Sequence, residues 1–336
     1  MVFRVHAGFS QAGRGWCGDG FPVEPEHLNP MVETNLENWT VIYWLGAGGL
    51  AGLLTLSLIA WLLPVRMASK PSARLRLAIK AFHYIRQNWR LATILVAGHA
   101  GVQTLALNLL GTGDSIAGAI ASLIVVYLWH RANIRAQSDG EAPTQADGDV
   151  LAFAGRSIVI GIATLAIATI FLLFAGGDEF VFGLITSDDP FREGVTQDRG
   201  IRFALSGFCF VIALTGIYRF LPAIPSAAVD DVMTMLGAAK ASGRLSIALT
   251  TNLLWSFVIT AFMALWILNL APFYQNDSPP SLLERVGFGL IASIIDSTIL
   301  LFATGTVSAA HCHVRETIAG QFRNNYPGTR TKTPPG

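Results

Sequence analysis

Asp296 is the single ionisable residue in VGFGLIASIIDSTILLFATGTVSAA, residues 286–310, a run long enough to cross a bilayer. Hydrocarbon cannot solvate a carboxylate, so this side chain must face other helices, a water-filled path or a partner. Helical spacing groups Gly289, Ser293, Asp296, Ser297, Thr304, Ser308 and His311 close to one face, while Phe288, Ile291, Ile295 and Phe302 cover the remainder. A second stripe, Asn252, Ser256 and Thr260 at i, i+4 and i+8, runs along the apolar stretch 247–270. His99 lies nine residues beyond Arg90, with Gln103 one turn further on, which sets it about as deep as Asp296. A carboxylate and an imidazole in a low-dielectric interior have charge states set by their surroundings, and proton relays use such groups. The candidate polar path is therefore His99, Gln103, Asn252, Ser256, Ser293 and Asp296. The same residues also admit a structural role, with Asp296 hydrogen-bonded to Ser and Asn neighbours and His99 packed in the interior.

Other chemistry finds little support. His311, Cys312 and His313 fall within one helical turn, where side chains two apart diverge and do not share a metal. One deep histidine does not supply the pair that bis-imidazole haem ligation needs. The chain holds no H-E-x-x-H, no P-loop and no Ser-His-Asp order, so no catalytic residue, metal or cofactor is expected, and an intramembrane enzyme ranks last. Cys17, Cys209 and Cys312 are odd in number and far apart, which excludes a disulfide framework. A net charge of +1 argues against a nucleic-acid partner. The run Gly176-Gly177-Asp178-Glu179-Phe180 resembles the signature of diguanylate cyclases. Phe174 stands where that family has arginine, and an apolar run precedes the motif where a soluble domain is required, so that family's function is not carried over.

The elements that must position these residues are membrane helices. Of 336 residues, 52% are hydrophobic and only 13% charged, against about 25% charged in soluble proteins. The expected fold is an all-α integral membrane protein, a polytopic bundle of about seven transmembrane helices. The spans are read at 40–65, as a hairpin or re-entrant pair within 91–129 broken around Gly111 to Ser115, and at 157–175, 203–221, 247–270 and 286–310. Residues 1–38 read as a disordered polar tail, 39–310 as the bundle and 311–336 as a basic cytoplasmic tail.

Topology follows from charge. Residues 66–90 carry Arg66, Lys70, Arg74, Arg76, Lys80, Arg86 and Arg90 without an acid, which sets this segment inside, the N-terminus outside and the C-terminus inside. Leu75, Ile79, Phe82, Ile85 and Trp89 recur there at helical spacing, as in a surface helix whose basic side chains meet anionic lipid headgroups. Residues 176–200 form an acidic outer loop, and 226–244 a second cytoplasmic helix with Val229, Val232, Met233 and Leu236 on one side. Arg156 is expected to snorkel at the edge of its span, and Gly48 with Gly52 to admit a close helix neighbour.

These features imply a secondary transporter or an ion- or proton-conducting protein of a bacterial-type plasma membrane, with the lipid bilayer as its first partner. The alternative is a non-catalytic scaffold or assembly subunit that docks another membrane protein or a second copy of itself.

Overall fold

The computed structural model describes residues 30–66, 75–109, 116–135, 149–175, 197–229, 233–270 and 281–325. Every regular element among them is helical. In chain order these are α1 (Pro30–Leu62), α2 (Leu77–Gln87), α3 (Trp89–Leu109), α4 (Ile116–Arg135), α5 (Val150–Phe174) and α6 (Gln197–Ile217). A 3-10 turn (Leu221–Ala223) leads into the short α7 (Ile224–Ala228), then come α8 (Met235–Ser242), α9 (Leu245–Leu270) and α10 (Leu282–Asn325). Among the described residues, six helices are long and apolar enough to cross a membrane: α1, α4, α5, α6 with its continuation to Ala228, α9 and α10. The fold is thus that of a multi-pass membrane protein. The expected seventh, α3, has the length at 21 residues but is not among the six; Arg90, His99 and Gln103 lower its mean hydropathy.

Helix α10 is the axis of the bundle. Its 44 residues extend about 66 Å at 1.5 Å per residue, well beyond a roughly 30 Å hydrocarbon layer. It begins with a capping box: Ser281 Oγ and N donate to Glu284 Oε2 at 2.7 and 2.8 Å, and Glu284 N donates back to Ser281 Oγ at 3.3 Å. These bonds, the hydroxyl's first, hold the exposed Glu284 carboxyl below its usual range. Further along, every residue from Thr304 to Cys312 is buried, because α2, α3, α4, α9 and the Leu221–Ala228 segment surround it. Gly305 lets α2 in: a Cβ there would meet Ala81 Cβ at 3.2 Å.

The glycine spacing of α1 marks a real interface with α6. A Cβ on Gly48 would lie 1.7 Å from the Ala204 carbonyl oxygen, and one on Gly207 2.4 Å from the Leu45 oxygen. Only hydrogen at these positions permits so close a crossing. Trp255 Nε1 donates to Ser57 Oγ at 3.0 Å and ties α9 to α1.

Several expected boundaries shift. Helix α1 starts at Pro30, inside the stretch read as a tail, because proline suits a first helical position. At the other end α10 runs through 311 to Asn325, with His311, Cys312 and Val314 buried, so a tail starting at 311 is incorrect. Residues 226–244 are two pieces rather than one helix. The residues of α7 are wholly buried, whereas α8 is capped by Thr234 Oγ1 on Gly237 N at 3.0 Å and closed by Gly243 at φ +31°. In 66–90, α2 buries Leu77, Ala81 and Tyr84 and leaves Ile79 and Phe82 exposed on the other side. Burial pushes the Tyr84 phenol well above its ordinary range, with Cys312 and Glu316 adding to the effect. The diguanylate-cyclase-like run and most of the acidic 176–200 stretch lie outside the described residues.

Candidate functional site

Three helices build the site around His99, and their registers explain how. Going up α3 from His99 to Thr104, the partners on α10 descend from Ser297 to Ser293, so the two helices run antiparallel side by side. Ser122 of α4 closes the third side.

His99 is 2% exposed and bonded at both ring nitrogens. Nδ1 lies 2.8 Å from Ser297 Oγ, and Nε2 2.8 Å from Ser122 Oγ. Each serine hydroxyl also has a carbonyl one turn back to receive its single hydrogen: Ser297 on Ser293 O at 2.5 Å and Ser122 on Gly118 O at 2.9 Å. A hydroxyl that donates to its helix can only accept from the ring. With both serines so turned, both ring nitrogens donate, which describes an imidazolium. A neutral ring instead accepts at one nitrogen, from a serine that swings its hydrogen toward it or, at Nε2, from the Gln103 amide 3.4 Å away. The protonation state of His99 is thus tied to which of these neighbours donates.

Gln103, one turn along α3, links this ring to Asp296. Its Nε2 donates to Asp296 Oδ2 at 3.3 Å and lies 3.4 Å from His99 Nε2. Thr104 Oγ1 reaches Ser293 Oγ at 3.5 Å. Four of the six candidate residues, His99, Gln103, Ser293 and Asp296, therefore fall in one patch between α3 and α10. The other two do not join it. Asn252 Nδ2 donates to Ala248 O at 2.7 Å and Ser256 Oγ to Asn252 O at 2.9 Å, both within α9. Polar side chains that return to their own helix in this way need no path to face.

A second polar group lies further down the same face of α10. His130 Nδ1 is 2.8 Å from Ser308 Oγ, Asn133 Nδ2 is 3.5 Å from the same oxygen, and Ser308 donates to Thr304 O at 3.1 Å. One turn on, His311 Nδ1 donates to Pro222 O at 2.8 Å. His130, Asn133, Ser308 and His311 are all 2% exposed or less. Reading the sequence missed His130 and Asn133, because the polar residues after Trp129 look like a loop. The available signal was the i, i+3 spacing of the pair, which puts both on one face if the helix continues.

Arg156 also departs from expectation. Asp149 caps α5 by accepting from Leu151 N and Ala152 N at 2.9 and 3.0 Å, so the helix starts early and Arg156 lies two turns inside it. Its Nη1 donates to Ala223 O at 2.6 Å, to Met233 O at 3.4 Å and to Ser226 Oγ. It grips the break between α6 and α8 instead of snorkelling. Backbone without helical partners is tolerated within a bundle when donors of this kind satisfy it.

Among the described residues no group of three histidine, cysteine or acidic side chains is arranged to hold a metal ion. What the arrangement offers along α10 is hydrogen-bonded side chains, among them an aspartate and three histidines that can carry protons. No protein-family model matches this chain, and neither a curated protein nor a solved structure matches it, so what it does is argued from this geometry.

Proposed function

We propose that this chain translocates protons across a plasma membrane as a seven-span bundle, N-terminus outside and C-terminus inside, along the α3–α4 face of α10. The observation that carries the reading is the connected run Asp296, Gln103, His99 and Ser122 within the apolar length of the bundle, with His99 buried and the other three half-buried. It joins one carboxylate to one imidazole through an amide, and both ends can take up and release a proton at moderate cost. Burying such groups is expensive, and a bundle that needed only hydrogen-bonded glue gains as much from serine and asparagine.

The register of α3 supports it as the seventh span. Continued from the His99–Ser297 level at equal rise, its ends reach roughly the levels of residues 307 and 287 of α10, the whole apolar run. His99, Gln103 and Thr104 turn toward α4 and α10, and Arg90 lies in its first turn, so a low mean hydropathy does not keep it out of the membrane.

The test is proton flux in liposomes holding the purified chain and a trapped pH dye, with potassium and valinomycin setting the membrane potential. Wild type is expected to carry protons above protein-free liposomes, and Asp296→Asn and His99→Phe to lose about tenfold or more of that flux. Wild-type flux equal to that of empty liposomes would overturn the reading and leave the cluster as structural support for a scaffold or assembly subunit.

A further inference from the structure

Two stations of buried histidine lie on one face of α10, and the geometry between them is as informative as the stations. The first is His99 at Ser297; the second is His130 at Ser308. Eleven residues separate the two serines, about 16 Å along the axis. The level between is filled by Trp129, which is 0% exposed and whose Nε1 donates to Leu301 O at 2.9 Å. Indole nitrogen is a donor only and cannot accept a proton to pass on. Thr304, also buried, spends its hydroxyl on Leu300 O at 2.7 Å. Neither side chain links the two stations.

We propose that His130 is a second proton-binding group of the path, opening toward the C-terminal side of α10, and that Trp129 with Leu301 forms a dry partition between it and His99. The inference rests on the proton-path reading above. His130 keeps Nδ1 donated to Ser308 and binds and releases the travelling proton at Nε2, with no other bond made or broken. Its surroundings suit that task. Asn133, 0% exposed, carries a buried Oδ1 with no hydrogen-bond partner, an acceptor beside the cluster in a place where such atoms are rarely left unmet. From α5 His130 meets the Phe153 ring at 5.9 Å between centroids, and α7 brings no titratable side chain. From α10 the titratable group on this side is His311, three residues past Ser308, with its Nδ1 donated to Pro222 O.

The experiment uses the full chain in liposomes, with Cys17, Cys209 and Cys312 replaced by serine. Ser308→Cys and Ser297→Cys are each exposed to a small, membrane-impermeant thiol reagent from one side at a time, and proton flux is measured for wild type and His130→Gln. Position 308 is expected to react only from the C-terminal side and 297 only from the other, and His130→Gln to lose about tenfold or more of the flux. Reaction at 308 from the side that reaches 297, or none at 308 from the C-terminal side, overturns the partition. A conducting wild type matched in flux by folded His130→Gln sinks the second station alone. A wild type that carries no protons sinks the broader reading and this one with it. Should His130→Gln fail to fold, the two cysteine variants still decide.

Discussion

Replacing Arg156 separates a clamp from a snorkelling charge. In the clamp, the guanidinium donates to Ala223 O and Met233 O, and Ser226 Oγ donates its one hydrogen to either of the same carbonyls, at 2.8 and 3.2 Å. Ser226→Ala removes the hydroxyl's own bond and the one it accepts from Arg156 but leaves both carbonyls with the arginine, and is expected to cost about 1–2 kcal/mol. Arg156→Met keeps the apolar stem and removes every guanidinium bond. A single hydroxyl hydrogen then has two carbonyls to serve, and one is left unmet in a buried segment. Losing charge-assisted bonds worth about 1.5–3 kcal/mol each, less what Ser226 recovers, gives an expected cost of about 2–4 kcal/mol. Arg156→Lys should recover part, since all three bonds leave from Nη1 and an ammonium that reaches that point carries three hydrogens but on a shorter stem. The assay is reversible unfolding in mixed micelles, followed by tryptophan fluorescence. A snorkelling arginine predicts no such spread: lysine equal to wild type and methionine close to it. Arg156→Met within about 0.5 kcal/mol of wild type, or milder than Ser226→Ala, would refute the clamp.

Three further outcomes are expected. Gly48→Ala drives a Cβ into the Ala204 carbonyl and should cost about 3 kcal/mol or prevent folding, whereas Gly49→Ala meets only Val211 Cγ2 at 3.9 Å and should be nearly neutral in the same unfolding assay. Because the Glu284 carboxyl is held below its ordinary range in the folded state, its cap contributes above the unfolded value and is lost as pH falls through the lower, folded one. Amide protection relative to the intrinsic exchange rate should therefore fall in the first turn of α10 in acid, and Glu284→Gln should remove that pH dependence. Reporter fusions at the two termini should fall on opposite sides of the membrane if α3 crosses; the same side would reduce the spans to six.

The depth of His99 and Asp296 was legible because both can be counted from charged span edges, and a helix of fixed rise turns counting into distance. The glycine spacing of α1 was legible for a similar reason, since only a close neighbour makes Gly48 and Gly52 useful. The α9 stripe misled, because Asn252 and Ser256 can bond their own helix and leave the same pattern without a shared site. Arg156 misled because its depth depended on where α5 begins, and the Asp149 cap moved that point. His130 was hidden by polar neighbours that suggested a loop while the helix in fact continued to Arg135. Its partner Ser308 was already on the α10 stripe, but nothing local says which helix a stripe will meet.

On the proton-path reading, water and protons reach the half-buried polar face of α10 at Asp296. The most direct measurement is thiol reactivity of Asp296→Cys in membranes, with the native cysteines replaced and with Ile291→Cys, 49% exposed on the apolar side, as the lipid-facing control. Labelling by a small water-soluble reagent at 296 and not at 291 is the expected result. A folded protein that labels at neither position has a dry core there, and Asp296 would then serve packing alone.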